Sequence, residues 1–164
     1  MKKVMIMGCP GSDKSNLAYR LNKKTGLDLY HIKDDTISTN HTEDEKNTWI
    51  SAVNEIAQKP EWIIEGTQSI TFETRMKMAD TVIFVDETPL RCVIGYIKER
   101  IRESIRKVPH RNHFRFRMIK KIMRYNKDFK PLINQLINQN IDHIEYIELR
   151  NENAVSQFLN DIGA

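Results

Sequence analysis

Residues 8–15 of this chain read Gly8-Cys9-Pro10-Gly11-Ser12-Asp13-Lys14-Ser15. They follow a short apolar, β-leaning run, KVMIM at 3–7, and lead into a helix-compatible stretch at 14–21 with Leu17, Ala18 and Leu21 on one face. Strand, glycine loop and helix in that order form the context of the phosphate-binding loop G-x-x-x-x-G-K-[ST], the Walker A pattern. In such a loop successive backbone N–H groups point at phosphate oxygens, and the helix N-terminus adds partial positive charge. Lys14 then reaches the β- and γ-phosphates, and the Ser15 hydroxyl binds Mg²⁺. The plainer reading is a glycine-rich turn ahead of an ordinary helix.

One member of the pattern is different. Asp13 stands where the second glycine belongs. Its N–H can still donate, but a Cβ restricts any conformation with positive φ. Its carboxylate also lies close to a polyanion. Two like charges ~5 Å apart at an effective dielectric of about 20 repel by roughly 3 kcal/mol. That is about a hundredfold in affinity unless Lys14, Mg²⁺ or an outward-turned side chain offsets it. The expectation is weakened nucleotide binding, with loss of binding as the extreme.

The rest of the chain alternates short apolar runs with amphipathic stretches. Strands are expected at 27–32 (LDLYHI), 61–65 (EWIIE), 81–85 (TVIFV) and 143–149 (HIEYIEL). Helices are expected after the capping box Thr42-Glu43-Asp44-Glu45, with Trp49, Ile50, Val53 and Ile56 on one face, and again at 70–79. Another runs from 89 to about 107, with Leu90, Val93, Ile94 and Ile97 as its buried face. After a break at 108–112 comes a long amphipathic stretch in which Pro131 either kinks a helix or starts a new one. A closing helix covers 152–162. Such alternation implies an α/β fold, a parallel sheet covered on both faces. Ligands bind such sheets at the carboxyl ends of the strands. That rule gathers 8–15, Asp34 and Asp35, 65–69, Asp86 and 150–153 on one rim. A cationic cradle with one or two carboxylates is what a phosphate and Mg²⁺ site needs.

Composition narrows the setting. The 164 residues are 40% apolar and 29% charged, and no apolar run approaches a membrane span. The two cysteines, Cys9 and Cys92, make no disulfide framework and no CxxC metal site. Cys9 lies inside the loop, either as a spacer or as a thiol whose pKa Lys14 and the helix dipole lower. A cytoplasmic protein is expected. Charge is uneven: thirteen of the 26 Lys and Arg residues fall within 98–130, opposed there only by Glu99, Glu103 and Asp128. This points to an anionic ligand, either nucleotide phosphates or a nucleic-acid backbone.

GCPGSDKSNLA at 8–18 resembles the GxxGSGKSTLA loop of nucleoside monophosphate kinases. With YH at 30–31, WIIEG at 62–66, ADTVIFVD at 79–86 and the arginine-studded helix that follows, nearly the whole chain resembles the topology modulation protein (FlaR-like) group, relatives of adenylate kinase. The resemblance implies a three-layer P-loop fold with a five-stranded parallel sheet, order 2-3-1-4-5, in one domain spanning 1–164. It implies ATP held by Gly8, Cys9, Pro10, Gly11, Ser12, Asp13, Lys14, Ser15 and Asn16. Mg²⁺ would be held by Ser15 and, through water, by Glu65 at the end of the third strand. Arg100, Arg102 and Arg106 fall where such kinases keep lid arginines, in a basic segment around 98–117, and would act with Lys14 on the transferring phosphoryl group. Asp34 would contact substrate, one residue later than the group's Asp. Asn16 replaces the usual Thr, and the segment between Arg106 and Phe114 is shorter than in relatives.

Each residue also has an ordinary reading. Glu65 and Asp86 can be metal-site carboxylates, helix caps or exposed loop residues. The three arginines lie on a helix that needs a solvated face in any case. The leading expectation is phosphoryl transfer from ATP·Mg²⁺ to a small acceptor. The alternatives are a non-catalytic nucleotide-binding regulator and a nucleic-acid-binding module that uses the basic 98–130 segment.

Overall fold

The computed structural model describes residues 1–32, 42–105 and 116–162. Its centre is a parallel sheet of five strands: β1 (Lys3–Gly8), β2 (Leu29–His31), β3 (Trp62–Glu65), β4 (Thr81–Val85) and β5 (Glu145–Leu149). The order is β2-β3-β1-β4-β5, as expected. The helices are α1 (Lys14–Thr25), α2 (Glu43–Gln58), α3 (Phe72–Met78), α4 (Pro89–Ile105), α5 (Phe116–Asp128), α6 (Lys130–Asn140) and α7 (Glu152–Asp161).

The sheet is covered on both faces, which is why its inner strands read as unbroken apolar runs rather than alternating ones. Side chains still alternate between two cores. Val4 and Ile6 join Ile63, Ile83 and Val85 against Leu17 and Leu21 of α1 and Val155 and Leu159 of α7. Met5 and Met7 join Trp62, Ile64, Val82 and Phe84 in the other core, with side chains from α2 to α6. Trp62 is fully buried and donates its Nε1–H to Ala57 O at 3.1 Å, so its one polar atom is satisfied.

Local signals set most boundaries. The capping box forms: Thr42 Oγ1 accepts from the Glu45 N–H at 3.3 Å, and Glu45 Oε2 accepts from the Thr42 N–H at 2.8 Å. Helix α2 then stops two residues before Pro60. Pro131 lies in the first turn of α6 and so opens a new helix rather than kinking one, because its missing N–H would have no intrahelical acceptor there. Strands β2 and β5 are shorter than the apolar runs that contain them, each losing the residues that lead in from the preceding connection. The expected helix at 70–79 begins as a 3-10 turn, Ser69–Thr71, before α3.

The expected buried face of α4 is wrong at two positions. Cys92 and Tyr96 are buried and Val93 and Ile97 pack against the core, whereas Leu90 is 67% and Ile94 45% exposed. Apolar periodicity locates a stripe but not which of its edges the tertiary contact selects. Here the helix is set by a backbone contact with the glycine loop, described below.

Asp80 ties the amino ends of two adjacent strands. Its Oδ2 accepts from the Lys2 and Lys3 N–H groups at 2.7 and 3.0 Å, and its Oδ1 from Thr81 Oγ1 at 2.7 Å. Burial works against its charge, but these donors prevail and hold the carboxyl below its ordinary range. A depressed folded-state pKa contributes stability above the unfolded pKa, and that contribution is lost as pH falls through the folded value. Asp80→Asn should therefore lower the melting midpoint at neutral pH, by roughly 4–8 °C for a loss of about 2 kcal/mol. The deficit should shrink as the pH is taken below about 4, read from melting curves of both proteins across pH.

Candidate functional site

The loop between β1 and α1 is shaped by two residues with positive φ. Gly11 (φ 85°) lies against α4 so closely that a Cβ there would stand 2.0 Å from Cys92 O. The contact is reciprocal, since a Cβ on Gly95 would stand 2.1 Å from Gly11 O. Loop and helix thus meet backbone to backbone. Asp13 (φ 62°, ψ 17°) is the one non-glycine residue with positive φ among the described residues. Asp and Asn are the L-residues that enter the left-handed region most readily. The Cβ of Asp13 therefore does not prevent the conformation that a glycine would adopt at this position.

The Asp13 carboxylate does not cap α1. It is exposed and accepts from Asn16 Nδ2 at 2.9 Å. The Asp13 carbonyl accepts from the N–H groups of Asn16 and Leu17, at 3.0 and 3.2 Å. The N–H groups of Lys14 and Ser15, at the first two helical positions, have no intrahelical acceptor, so the helix presents two donors and its positive end there. Cys9 is buried, and contact with Cys92 together with burial pushes its thiol well up, against the weaker pull of Lys14 and Lys121. Burial and the contact with Cys92 support the reading of Cys9 as a loop spacer.

Beside the loop, at the end of β3, sits Glu65, only 2% exposed. Its Oε1 accepts from Ser15 Oγ at 2.9 Å and from His31 Nδ1 at 2.8 Å. Its Oε2 is buried and has no hydrogen-bond partner among the described residues. Burial disfavours the charge, but His31, Lys14 and Ser15 outweigh it and hold the carboxyl below its ordinary range. Behind it Arg75 is fully buried and donates to three carbonyls: Gln68 O (2.8 Å), Thr71 O (3.3 Å) and Gly66 O (3.4 Å). The chain leaving β3 is wrapped around this guanidinium. Burial pushes Arg75 below its ordinary range, and the charge of Glu65 opposes that push.

A cleft of about 480 Å³ opens over the loop. Gly11, Ser12, Asp13, Lys14 and Ser15 form one wall, and Arg91, Ile94, Gly95, Lys98, Glu99 and Arg102 of α4 another, with Glu87 and Glu152 also lining it. Glu87 pairs with Arg91 at 3.5 Å, and Glu152 with Arg20 at 3.0 Å. Lys14, Lys98 and Arg102 carry no ion pair among the described residues. The arginine readings therefore divide. Arg102 faces the cleft, whereas Arg100 pairs with Glu103 at 2.7 Å and lies over the Tyr96 ring. Arg106 and Asp34 lie outside the described residues. Asp86 is held by Lys130 at 2.6 Å, an ion pair that docks α6 on the end of β4.

Sequence reasoning missed Arg75, Arg91 and Gly95, quoted His31 without a role, and counted Lys98 only as one charge of the basic segment. The α4 residues recur at 91, 95, 98 and 102, one helical face that a search for polar rather than apolar periodicity would have found. His31 is the register partner of Glu65 across β2 and β3, a pairing fixed by the register of the two strands and not by their order. Arg75 carries no sequence signal, since nothing local distinguishes a buried arginine from a solvated one.

No protein-family model and no curated protein sequence matches this chain. Its fold matches solved kinases. A shikimate kinase from Acinetobacter baumannii in complex with shikimate superposes with a TM-score of 0.64 at 15% identity, over 99% of this chain and 90% of that one. A deoxyadenosine kinase from M. mycoides with bound dATP gives 0.57 at 14% identity, over the full length of both. The architecture is that of the P-loop kinases; at such identities the likeness is one of fold.

The Gly11–Gly95 contact leaves no room for a side chain. Gly95→Ala should destabilise the protein by about 1–3 kcal/mol, because α4 must lift off the loop. The check is the denaturation midpoint, with Gly26→Ala as a contrasting variant: a Cβ there meets no neighbouring atom, so its cost is backbone strain alone.

Proposed function

We propose that this chain binds a nucleoside triphosphate with Mg²⁺ in the cleft over residues 8–16 and transfers its terminal phosphoryl group to a small acceptor. The observation that carries this reading is the Ser15–Glu65 contact beside unoccupied first-turn N–H groups. A carboxylate 2% exposed, with one oxygen engaged and the other orphaned, is costly unless something cationic completes it. Mg²⁺ takes one or two carboxylates, retains waters and accepts phosphate oxygens; Ser15 Oγ, in the cleft wall, would be its direct donor, with the buried Glu65 carboxylate hydrogen-bonded to it acting through water. When bound, the ion would neutralise charge on the phosphates.

The chain's own residues then have separable tasks. The Lys14 and Ser15 N–H groups receive phosphate oxygens, and the Lys14 ammonium supplies charge beside them. Arg102 and Lys98, across the cleft, stabilise charge on the transferring group. His31 holds Glu65 in one orientation, leaving Oε2 directed away from the two donors on Oε1. Catalysis of this kind is positioning and charge neutralisation without a covalent intermediate. In this reading residues 1–164 form one kinase domain with a small basic lid-like segment around 98–117. No described helix is long and apolar enough to cross a membrane, and we place the protein in the cytoplasm.

Thermal unfolding with and without millimolar ATP and Mg²⁺ tests the reading. A ligand at ~100 times its dissociation constant stabilises by about 2.7 kcal/mol, a rise of roughly 5–10 °C for a domain this size. Lys14→Ala should abolish that rise while leaving the ligand-free midpoint in place. A parent protein that shows no rise with any nucleoside triphosphate would sink the proposal. Arg102→Ala should lower phosphoryl transfer at least about tenfold, measured as ADP release in an acceptor screen, whereas Arg100→Ala should chiefly lower the melting midpoint. Nucleotide binding without turnover in any acceptor screen would instead mark a binding regulator.

A further inference from the structure

The Asp13 side chain has two destinations. An Asp that precedes a helix in extended conformation accepts from the N–H groups of the first turn, whereas Asp13 is left-handed and does not. Those N–H groups are the donors that the proposed nucleotide site needs, so a carboxylate placed there would be an internal substitute for phosphate. In this structure it is elsewhere: α1 has no side-chain cap, and the carboxylate accepts from Asn16 Nδ2 at 2.9 Å. Asn16 is exposed, and it is not part of the cleft wall, although Asp13 is. The hydrogen bond thus draws the carboxylate toward the outer side of the helix.

We propose that Asn16 is a positioning residue. Its carboxamide holds the Asp13 carboxylate off the anion site, so that Asp13 and Asn16 together replace the glycine that the loop pattern places at 13. Two requirements are met at once. The backbone at 13 adopts the left-handed conformation of a glycine (φ 62°). The charge that comes with the side chain does not cap the helix and is engaged by Asn16 at the edge of the cleft wall. The inference rests on the nucleotide-binding reading above and names the device that lets an aspartate stand in the loop.

Release of the clasp has a signature that a structural role would not produce. In Asn16→Ala the carboxylate is free to turn toward the cleft, where it repels phosphate. Affinity should fall while the ligand-free melting midpoint holds. The test is titration calorimetry with MgATP at low and high salt on the parent, Asn16→Ala, Asp13→Gly and the double variant, with ligand-free melting of each. Asp13→Asn, which tolerates the same backbone without the charge, is the control should Asp13→Gly fold poorly. We expect Asn16→Ala to weaken MgATP about tenfold or more, with a smaller loss at high salt, and to have no effect in the Asp13→Gly background. Parent-like affinity in Asn16→Ala, or the same loss in both backgrounds, overturns the clasp and leaves the nucleotide reading standing. Failure of every variant to bind MgATP, Asp13→Gly and Asp13→Asn included, overturns both.

Discussion

Much of the site depends on the place where α4 meets the glycine loop without an intervening side chain. A Cβ on either Gly11 or Gly95 would stand about 2 Å from a backbone oxygen of the other element. Glycine at both positions lets a helix approach a loop more closely than side chains normally permit. That approach sets the rotation of α4. It turns Cys92 and Tyr96 into the core and leaves Ile94, Lys98 and Arg102 over the loop. The cleft is therefore a product of this one contact.

The second constraint is electrostatic. Glu65 is buried at the sheet rim, where a lone carboxylate is unfavourable. Its neighbours come from three elements: Ser15 and Lys14 of α1, His31 of β2, and Arg75 of α3, acting on a residue of β3. Two donors occupy one oxygen, while Arg75 is spent on backbone carbonyls behind it. The result is a carboxylate that keeps its charge and has one oxygen unused. The loop carries N–H donors, and the Ser15 hydroxyl in the cleft wall is backed by this buried carboxylate, a pairing that suits an anion bound together with a cation.

Much of the architecture was legible in the sequence, because alternating strand and helix patterns are local properties. KVMIM, WIIE and TVIFV read as buried parallel strands since both faces are covered, and Thr42 marks a helix start by backbone hydrogen-bond accounting alone, whereas only the structure decided that Pro131 opens a new helix. The strand order came from the resemblance to known loops and strands, not from periodicity. What escaped was relational. Leu90 and Ile94 match an apolar helical stripe, yet they lie outside the core because the stripe is wider than the surface that α4 buries. Arg100 and Arg102 are equivalent in sequence, and their neighbours divided them: Glu103 and Tyr96 engage one, the cleft receives the other.

Asp13 marks the boundary between the two kinds of information. Sequence by itself determined that the loop would be a strand–glycine–helix turn with an unwanted charge in it, since covalent order and residue type are enough for that. Whether the Cβ could be accommodated, and where the carboxylate would go, depended on φ at one residue and on a hydrogen bond three residues away. In the same way sequence supplied Glu65, and only the packing of β2 beside β3 supplied His31 opposite it. Local propensity acts through bonded neighbours and is written along the chain. Burial, pairing and side-chain direction act through space, and they exist only once the chain has folded.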